Sequence, residues 1–261
     1  MKLLLSLRSA FGFLTRLPVG PWPLQSDLAG ISAWLPLVGL VVGGIAGVAA
    51  WGAFLLFGPS PLLAGVVGCA CWVAVTGGLH LDGVADCGDG LPVEVSRERR
   101  LEIMKDSRLG TFGGTFLIFT LLFKAAAIGT LAARATSGWE LAALCALAGL
   151  LARTQIFLAM RYPSARPGGM GDAFRQGTRR RHAVLALAVA LAACLCLGTR
   201  GLVALAAALA ASFSVLGYAK RRLGGVTGDV FGWSVETTEW AVLLSMCWNG
   251  FSRPETSFFL P

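Results

Sequence analysis

The sequence predicts an all-α integral membrane protein: a polytopic bundle of about seven transmembrane helices, preceded by an interfacial helix at the N-terminus. Two observations lead to this fold class. Of the 261 residues, 56% are hydrophobic and only 14% are charged, whereas soluble domains carry about 25% charged residues. Apolar runs long enough to span a bilayer also recur along the whole chain, without an internal repeat or a second domain. We therefore expect one membrane domain over residues 1–261.

The N-terminal segment, "MKLLLSLRSAFGFLTRLPVG", superficially resembles a signal peptide. Arg8 and Arg16 interrupt it and no A-x-A cleavage site follows, so an amphipathic helix on the membrane surface is favoured. Seven apolar runs of spanning or nearly spanning length come next. They are residues 34–57, 62–78, 112–133, 139–160, 183–198, 202–217 and 239–251.

The distribution of basic residues supports these spans. The N-terminal segment and the loops 79–110, 161–182 and 218–238 hold 17 of the 22 Lys and Arg residues, and the loops between them hold almost none. Such alternation places the basic loops in the cytoplasm. The net charge of +8 is thereby explained by membrane orientation, and we expect no nucleic-acid partner.

The stretch "GLHLDGVADCGDGL" carries three acids directly after the second span. Asp82, Asp86 and Asp89 stand at i, i+4 and i+7, so a helix would place them on one face, where like charges repel. A divalent cation such as Mg²⁺ would offset that repulsion, and a solvated acidic face is the alternative. His80 precedes the cluster, and three roles are open for it: metal ligand, general base, or a hydrogen bond within the loop.

Two basic segments are candidates for anion binding. Lys105, Asp106 and Arg108 precede three glycines at the start of a span, where a helix N-terminus attracts anions; a basic membrane anchor is the alternative. The loop 161–182 has six arginines and a run of glycines, which suits either a phosphate cradle or membrane orientation. Within it, Arg175 is our candidate for a binding residue.

A second glycine-rich acidic motif, "GGVTGDVFGWSVETTE", lies on the same predicted membrane face. Three loops on one side would then combine carboxylates, guanidinium groups and glycines, which favours Mg²⁺-assisted chemistry on phosphates over transport. Only Lys124 and Arg153 lie deep within predicted spans, and Lys124 either reaches the interface or pairs with one of the acids.

The motifs "HLDGVADCGDGL", "RRLEIMKDSRLGTFG" and "GGVTGDVFGWSVETTE", with the early "FLTRLPVG", together resemble the cobalamin synthase family, the adenosylcobinamide-GDP ribazoletransferases. The resemblance covers essentially the whole chain. It implies a Mg²⁺-dependent membrane enzyme of the last steps of cobalamin biosynthesis. Such an enzyme joins adenosylcobinamide-GDP to α-ribazole or its 5′-phosphate and gives adenosylcobalamin or its 5′-phosphate, with GMP.

The resemblance also implies a mechanism, in which the ribazole 3′-hydroxyl attacks the pyrophosphate, and it implies roles for individual residues. The expected catalytic residues are His80, Asp82, Lys105, Asp106 and Arg108. The expected metal ligands are Asp82, Asp86 and Asp89. The expected binding residues are Gly225, Thr227, Gly228 and Asp229 from the C-terminal motif, which also includes Glu236, together with Arg175.

The same resemblance implies a multi-pass protein of the bacterial cytoplasmic (inner) membrane with its active-site loops in the cytoplasm. Expected partners are the two substrates, the lipid bilayer, and either further copies of the chain or other enzymes of cobalamin assembly. Two alternatives stay open at this point. The first is an enzyme similar to the CDP-alcohol phosphotransferases, whose aspartate spacing this motif also resembles. The second is a corrinoid transporter, which would have no catalytic activity.

Overall fold

A computed structural model describes residues 2–20 and 28–248. Within these residues the chain is all-α, and an isolated bridge between Ser164 and Val226 is its only β pairing. The helices are α1 Lys2–Leu14, α2 Leu28–Ile31, α3 Leu35–Leu56, α4 Pro61–Thr76, α5 Leu79–Gly90, α6 Arg97–Ile103, α7 Thr111–Arg134, α8 Gly138–Thr154, α9 Ile156–Ala159, α10 Met170–Gly177, α11 Arg180–Cys196, α12 Gly198–Leu223 and α13 Gly228–Met246.

Several helices are long and apolar enough to cross a membrane. Four qualify among the described residues: α3 with the 3-10 turn before it, α7, α8 continued by α9, and α12. They become five if α4 and α5 are counted as one bent span. The all-α membrane bundle is thus confirmed, but the count of seven spans is not. The end of the last predicted span, 249–251, lies outside the described residues.

The centre of the bundle is the contact of α3 with α8. Gly39, Gly43 and Gly47 line the face of α3 that meets α8, and a Cβ added at any of them would overlap backbone atoms of α8. Small residues allow helix backbones to approach this closely in lipid. The spacing of four between these glycines therefore serves helix packing.

A glycine corner changes the direction of the chain between α4 and α5, and α5 then packs against α7 and α13. Gly77 and Gly78 have φ angles of 64° and 70°, a left-handed conformation that favours glycine. The axes of α4 and α5 differ by 97° across this corner. Because α5 leaves the direction of α4 and carries three aspartates, we treat it as lying along the membrane surface, outside the spanning segments.

A buried ion network joins α7, α8 and α13. It consists of Lys124, Arg153, Glu236 and Glu239: Lys124 pairs with both glutamates and Arg153 pairs with Glu239. All four side chains are buried, and two cations balance two anions, as buried charges require. Lys124 thus pairs with acids and does not reach out to the membrane surface.

The network corrects one predicted boundary. The segment 218–238 was expected to be a polar loop, but α12 continues to Leu223 and α13 begins at Gly228. Glu236 was expected in this loop and Glu239 at the start of the last span, whereas the structure buries both within α13 against cations from other helices.

Helix α1 lies partly against the bundle. Ala10 and Leu14 are buried, while Leu3 and Leu4 at its start are exposed, as suits a helix at an interface. Directly after it, the amide of Arg16 donates a 2.7 Å hydrogen bond to the carbonyl oxygen of Val75. This bond fixes the end of α1 beside the glycine corner and hence beside α5.

Candidate active site

An acidic cavity of about 620 Å³ opens between α5 and the segment that leads into α7. Four carboxylates line it, those of Asp82, Asp86, Asp89 and Asp106, together with Ser107 and Arg108. The acidic motif of α5 and the segment before α7, with Asp89 and Gly110 21 residues apart in the chain, are therefore brought together in space.

Asp89 is held by the N-terminus of α7. Its two carboxylate oxygens accept hydrogen bonds from the amides of Gly110 and Gly113, each 2.7 Å long. A Cβ at either glycine would overlap this carboxylate. The anion at this helix N-terminus is thus the protein's own Asp89, and these amides are not open to a substrate phosphate. Asp89 fastens α5 to α7 whether or not it also binds a metal.

Asp86 and Asp82 form a cluster with Asp229 from the start of α13. Burial, followed by the negative charges of Asp229 and Asp82, raises the pKa of Asp86 to about 7. The helices approach closely here, because a Cβ at Gly83 would overlap the carbonyl oxygen of Asp229. Asp229, expected only as a binding residue, therefore belongs to the same group of carboxylates.

The donors of this cluster suit Mg²⁺ in kind and charge. Carboxylate oxygens are its preferred protein ligands, and the pKa of Asp86 is raised first by burial and then by the charges of Asp229 and Asp82, a repulsion that a divalent cation would relieve. Among the described residues, however, no three His, Cys, Asp or Glu side chains converge closely enough to hold a metal ion. The fit thus rests on donor chemistry, with Asp82, Asp86 and Asp229 as the residues that face each other.

A second, apolar cavity of about 340 Å³ adjoins the acidic cavity, and the two share Leu79 and Asp82. Its lining comprises Phe13, Leu14, Leu35, Leu79, His80, Asp82, Gly83, Ile156, Arg166, Gly171, Phe174, Gly228, Asp229, Phe231, Gly232 and Val235. Asp82 therefore stands where a polar and an apolar compartment meet.

His80 is buried in the wall of the apolar cavity. Burial, and then the positive charges of Arg153 and Lys124, lower its pKa well below the usual range, so the imidazole is neutral at physiological pH. Its Nδ1 has no hydrogen-bond partner among the residues that the structure describes. His80 belongs to the cavity wall and not to the carboxylate cluster; its neutral imidazole can accept a proton, but the lowered pKa makes it a weak base.

Arg166 reaches the same cluster from the loop 161–182. Its Nη1 lies 3.4 Å from Oδ2 of Asp229, and it lines the apolar cavity. Thr227 caps α13 by accepting a 3.3 Å bond from the amide of Val230, and its hydroxyl donates to Asp229 over 3.2 Å. The sequence did not distinguish Arg166 from the other arginines of that loop, and its one signal was its place two residues before the glycine run.

Arg108 and Asp106 pair with each other at the rim of the acidic cavity. Arg108 donates from Nη2 to Oδ2 over 2.6 Å and from Nε to Oδ1 over 3.0 Å. These bonds from the side chain, and a further one from the amide of Arg108, lower the pKa of Asp106 to about 2. The side chain of Arg108 is nevertheless 87% exposed, so a ligand in the cavity can reach it.

The family described as cobalamin-5-phosphate synthase matches residues 6–247. The chain belongs to this family. An adenosylcobinamide-GDP ribazoletransferase from Escherichia coli (strain K12 / DH10B) is 38% identical over 242 residues, which cover 90% of this chain and 96% of that protein. No solved structure matches the chain. These matches give no support to the alternatives, a CDP-alcohol phosphotransferase-like enzyme and a corrinoid transporter.

The remaining residues expected from the sequence are Arg175, Lys105 and the members of the C-terminal motif. Arg175, Thr227, Gly228 and Asp229 meet around a small cavity of about 70 Å³ beside the apolar cavity. Lys105 is exposed and lines neither main cavity.

Gly225 and Glu236 have structural surroundings. Gly225 lies against the backbone of Pro163 and Ala165, where a Cβ would overlap. Its neighbour Val226 exchanges two 2.9 Å backbone bonds with these residues. Gly225 thereby holds the loop of Arg166 beside α13, and Glu236 belongs to the buried ion network.

Proposed function

We propose that the chain catalyses, at a membrane surface, the transfer of the cobinamide phosphate of adenosylcobinamide-GDP to α-ribazole or its 5′-phosphate, with release of GMP. Membership of the cobalamin-5-phosphate synthase family and the activity named for the relative support this reaction. The observation in the structure that carries it is the position of Asp82. This carboxylate lines both a cavity that is rich in acids and a cavity that is mostly apolar. The reaction joins a pyrophosphate to a nucleoside, and it therefore needs a polar and an apolar compartment side by side.

The chemistry is a displacement at phosphorus. The 3′-hydroxyl oxygen of the ribazole attacks the phosphorus on the cobinamide side of the pyrophosphate, and a new phosphorus–oxygen bond forms. The bond from that phosphorus to the bridging oxygen breaks, and GMP leaves with the bridging oxygen. The hydroxyl proton passes to a base of the protein, for which neutral His80 and Asp82 are the candidates beside the shared wall.

The negative charge of the acidic cavity indicates which residues would hold Mg²⁺ and which would contact the phosphates. Four carboxylates repel a pyrophosphate, so Asp82, Asp86 and Asp229 would hold Mg²⁺, which when bound neutralises the phosphate oxygens and stabilises charge that grows during transfer. Arg108 presents an exposed guanidinium to the same cavity. Asp106 orients it by two hydrogen bonds, so it can stabilise the phosphate charge without a large loss of side-chain entropy.

We further propose that the protein resides in the bacterial cytoplasmic membrane with α5 on the cytoplasmic side. The support is the alternation of basic and nearly uncharged loops, since 17 of 22 Lys and Arg residues fall in the loops on the side of the acidic cavity.

The reaction is tested with the purified full-length chain in detergent micelles. Adenosylcobinamide-GDP and α-ribazole are supplied together and GMP is measured with saturating Mg²⁺ and with a chelator. GMP release that requires both substrates and the divalent cation is expected. Transport needs two compartments, so turnover in micelles excludes it; absence of GMP formation in any lipid or detergent would overturn the proposal.

A further inference from the structure

The apolar cavity has a chemical character that the transfer reaction by itself does not explain. Three phenylalanines from distant parts of the chain form its walls: Phe13 of α1, Phe174 of α10 and Phe231 of α13. The rings of Phe13 and Phe174 have centroids 5.6 Å apart and an angle of 44° between their planes. Aromatic side chains arranged around a cavity bind flat heteroaromatic rings by stacking, with little dependence on hydrogen bonds.

The size of the cavity limits the ligand. Its volume of about 340 Å³ lies at the small end of the range of about 300–1,000 Å³ typical of small-molecule sites. A corrin macrocycle is far larger than this space. A nucleoside with a bicyclic base is a ligand of suitable size.

The charged and titratable side chains in the cavity lining are those of His80, Asp82, Arg166 and Asp229, of which Asp82 also lines the acidic cavity. His80, 7% exposed, has an Nδ1 without a hydrogen-bond partner within the described residues, and the same holds for Nε and Nη2 of Arg166. Buried polar atoms are normally hydrogen-bonded, so unpartnered ones beside a cavity indicate where the polar part of a ligand belongs. A ligand with an apolar ring at one end and hydroxyl groups at the other matches this distribution.

We propose that the apolar cavity is the acceptor site, in which Phe13, Phe174 and Phe231 enclose the dimethylbenzimidazole base of α-ribazole and the ribose points towards Asp82. The inference rests on the proposed function, since that reaction supplies the acceptor. The guanine base of the other substrate is the competing occupant. Guanine carries hydrogen-bonding groups on most of its edge, and those that face the phenylalanine and aliphatic part of the wall would stay unsatisfied, whereas the two methyl groups of dimethylbenzimidazole need no partner.

The site has a consequence for the N-terminal helix. The sequence predicts only that α1 lies on the membrane surface, yet Phe13 and Leu14 at its end form part of the cavity wall. The hydrogen bond from Arg16 to Val75 holds this end against α4. Helix α1 is therefore a component of the acceptor site that determines which base fits.

The test compares Michaelis constants in the full-length protein in micelles. Phe174→Ala removes one aromatic wall, and Phe119→Ala, at an exposed ring on α7 that lines neither cavity, is the matched control. For Phe174→Ala we expect the KM for α-ribazole to rise about tenfold or more, with the KM for adenosylcobinamide-GDP unchanged. The control should change neither constant. An unchanged KM for α-ribazole, or a rise confined to adenosylcobinamide-GDP, would overturn the assignment.

Two further measurements keep the result interpretable. Phe174→Leu retains apolar volume without the aromatic face and serves if the alanine variant does not fold. With the unaltered protein, benzimidazole riboside, which lacks both methyl groups, should show a KM about tenfold higher than α-ribazole because two buried methyl groups are lost; an equal KM contradicts an enclosing pocket. Failure of the proposed function is distinct, since the unaltered protein would then release no GMP at all.

Discussion

Replacing Lys124 with methionine removes one of the two cations of the buried ion network while keeping most of the apolar length of the side chain. Lys124 is fully buried and pairs with Glu236 and Glu239, and Arg153 pairs with Glu239. The variant therefore leaves two carboxylates with one guanidinium, and a buried charge that loses its partner costs about 3–5 kcal/mol. We expect the free energy of unfolding, measured by denaturant titration in micelles, to fall by about that amount.

A double variant separates the charge effect from lost packing. Lys124→Met combined with Glu236→Gln restores equal numbers of cations and anions, so it should be more stable than Lys124→Met alone by about 2 kcal/mol. Lys105→Met is the matched control at an exposed lysine, with an expected change within about 0.5 kcal/mol. If the two losses simply add in the double variant, the balance of charge does not set the cost and the reasoning is refuted.

Three further predictions concern the acidic cavity. Asp82→Asn and Asp86→Asn should each lower GMP release by about 100-fold or more at saturating Mg²⁺, and near-normal activity in either would remove that residue from the metal assignment. Mg²⁺ binding without substrate, measured by calorimetry, should weaken as the pH falls below about 7. The reason is that Asp86 is then protonated and must release its proton to bind a cation. A Mg²⁺ affinity that does not change between pH 6 and 8, about one unit on either side of that pKa, would exclude Asp86 as a ligand. Arg108→Ala should lower turnover by about 100-fold, whereas Arg180→Ala, at the start of α11, should stay within about twofold; equal losses would show that Arg108 has no special role.

The character of α5 could be predicted because it depends on local spacing. Acids at i, i+4 and i+7 share a helix face wherever the helix lies, and the structure does form a helix there. The role of Asp89 could not be predicted, since its two oxygens are bound by the amides of Gly110 and Gly113 in another helix. Periodicity identifies which side chains share a face, but it does not identify the group they meet.

Contacts between residues far apart in the chain also explain the other differences between the structure and the expectations from the sequence. Glu236 was assigned to a polar loop because the sequence does not show the partner of its charge, and that partner, Lys124, stands on α7. The apolar cavity was not foreseen for the converse reason. Phe13 and Phe174 look like ordinary membrane-facing or core residues in the sequence, and only the packing of α1 and α10 around α13 brings them together.

The glycine corner after α4 also sets the depth of the reaction in the bilayer. Helix α4 has 16 residues, and at 1.5 Å per residue it is about 24 Å long. The hydrocarbon core of a bilayer is about 30 Å thick, and lipids thin locally around a hydrophobic segment that is too short. A bilayer that thins to match α4 would place the carboxylates of α5 below the level of the surrounding headgroups, where an amphipathic corrinoid would keep its phosphates in water and its apolar parts on lipid.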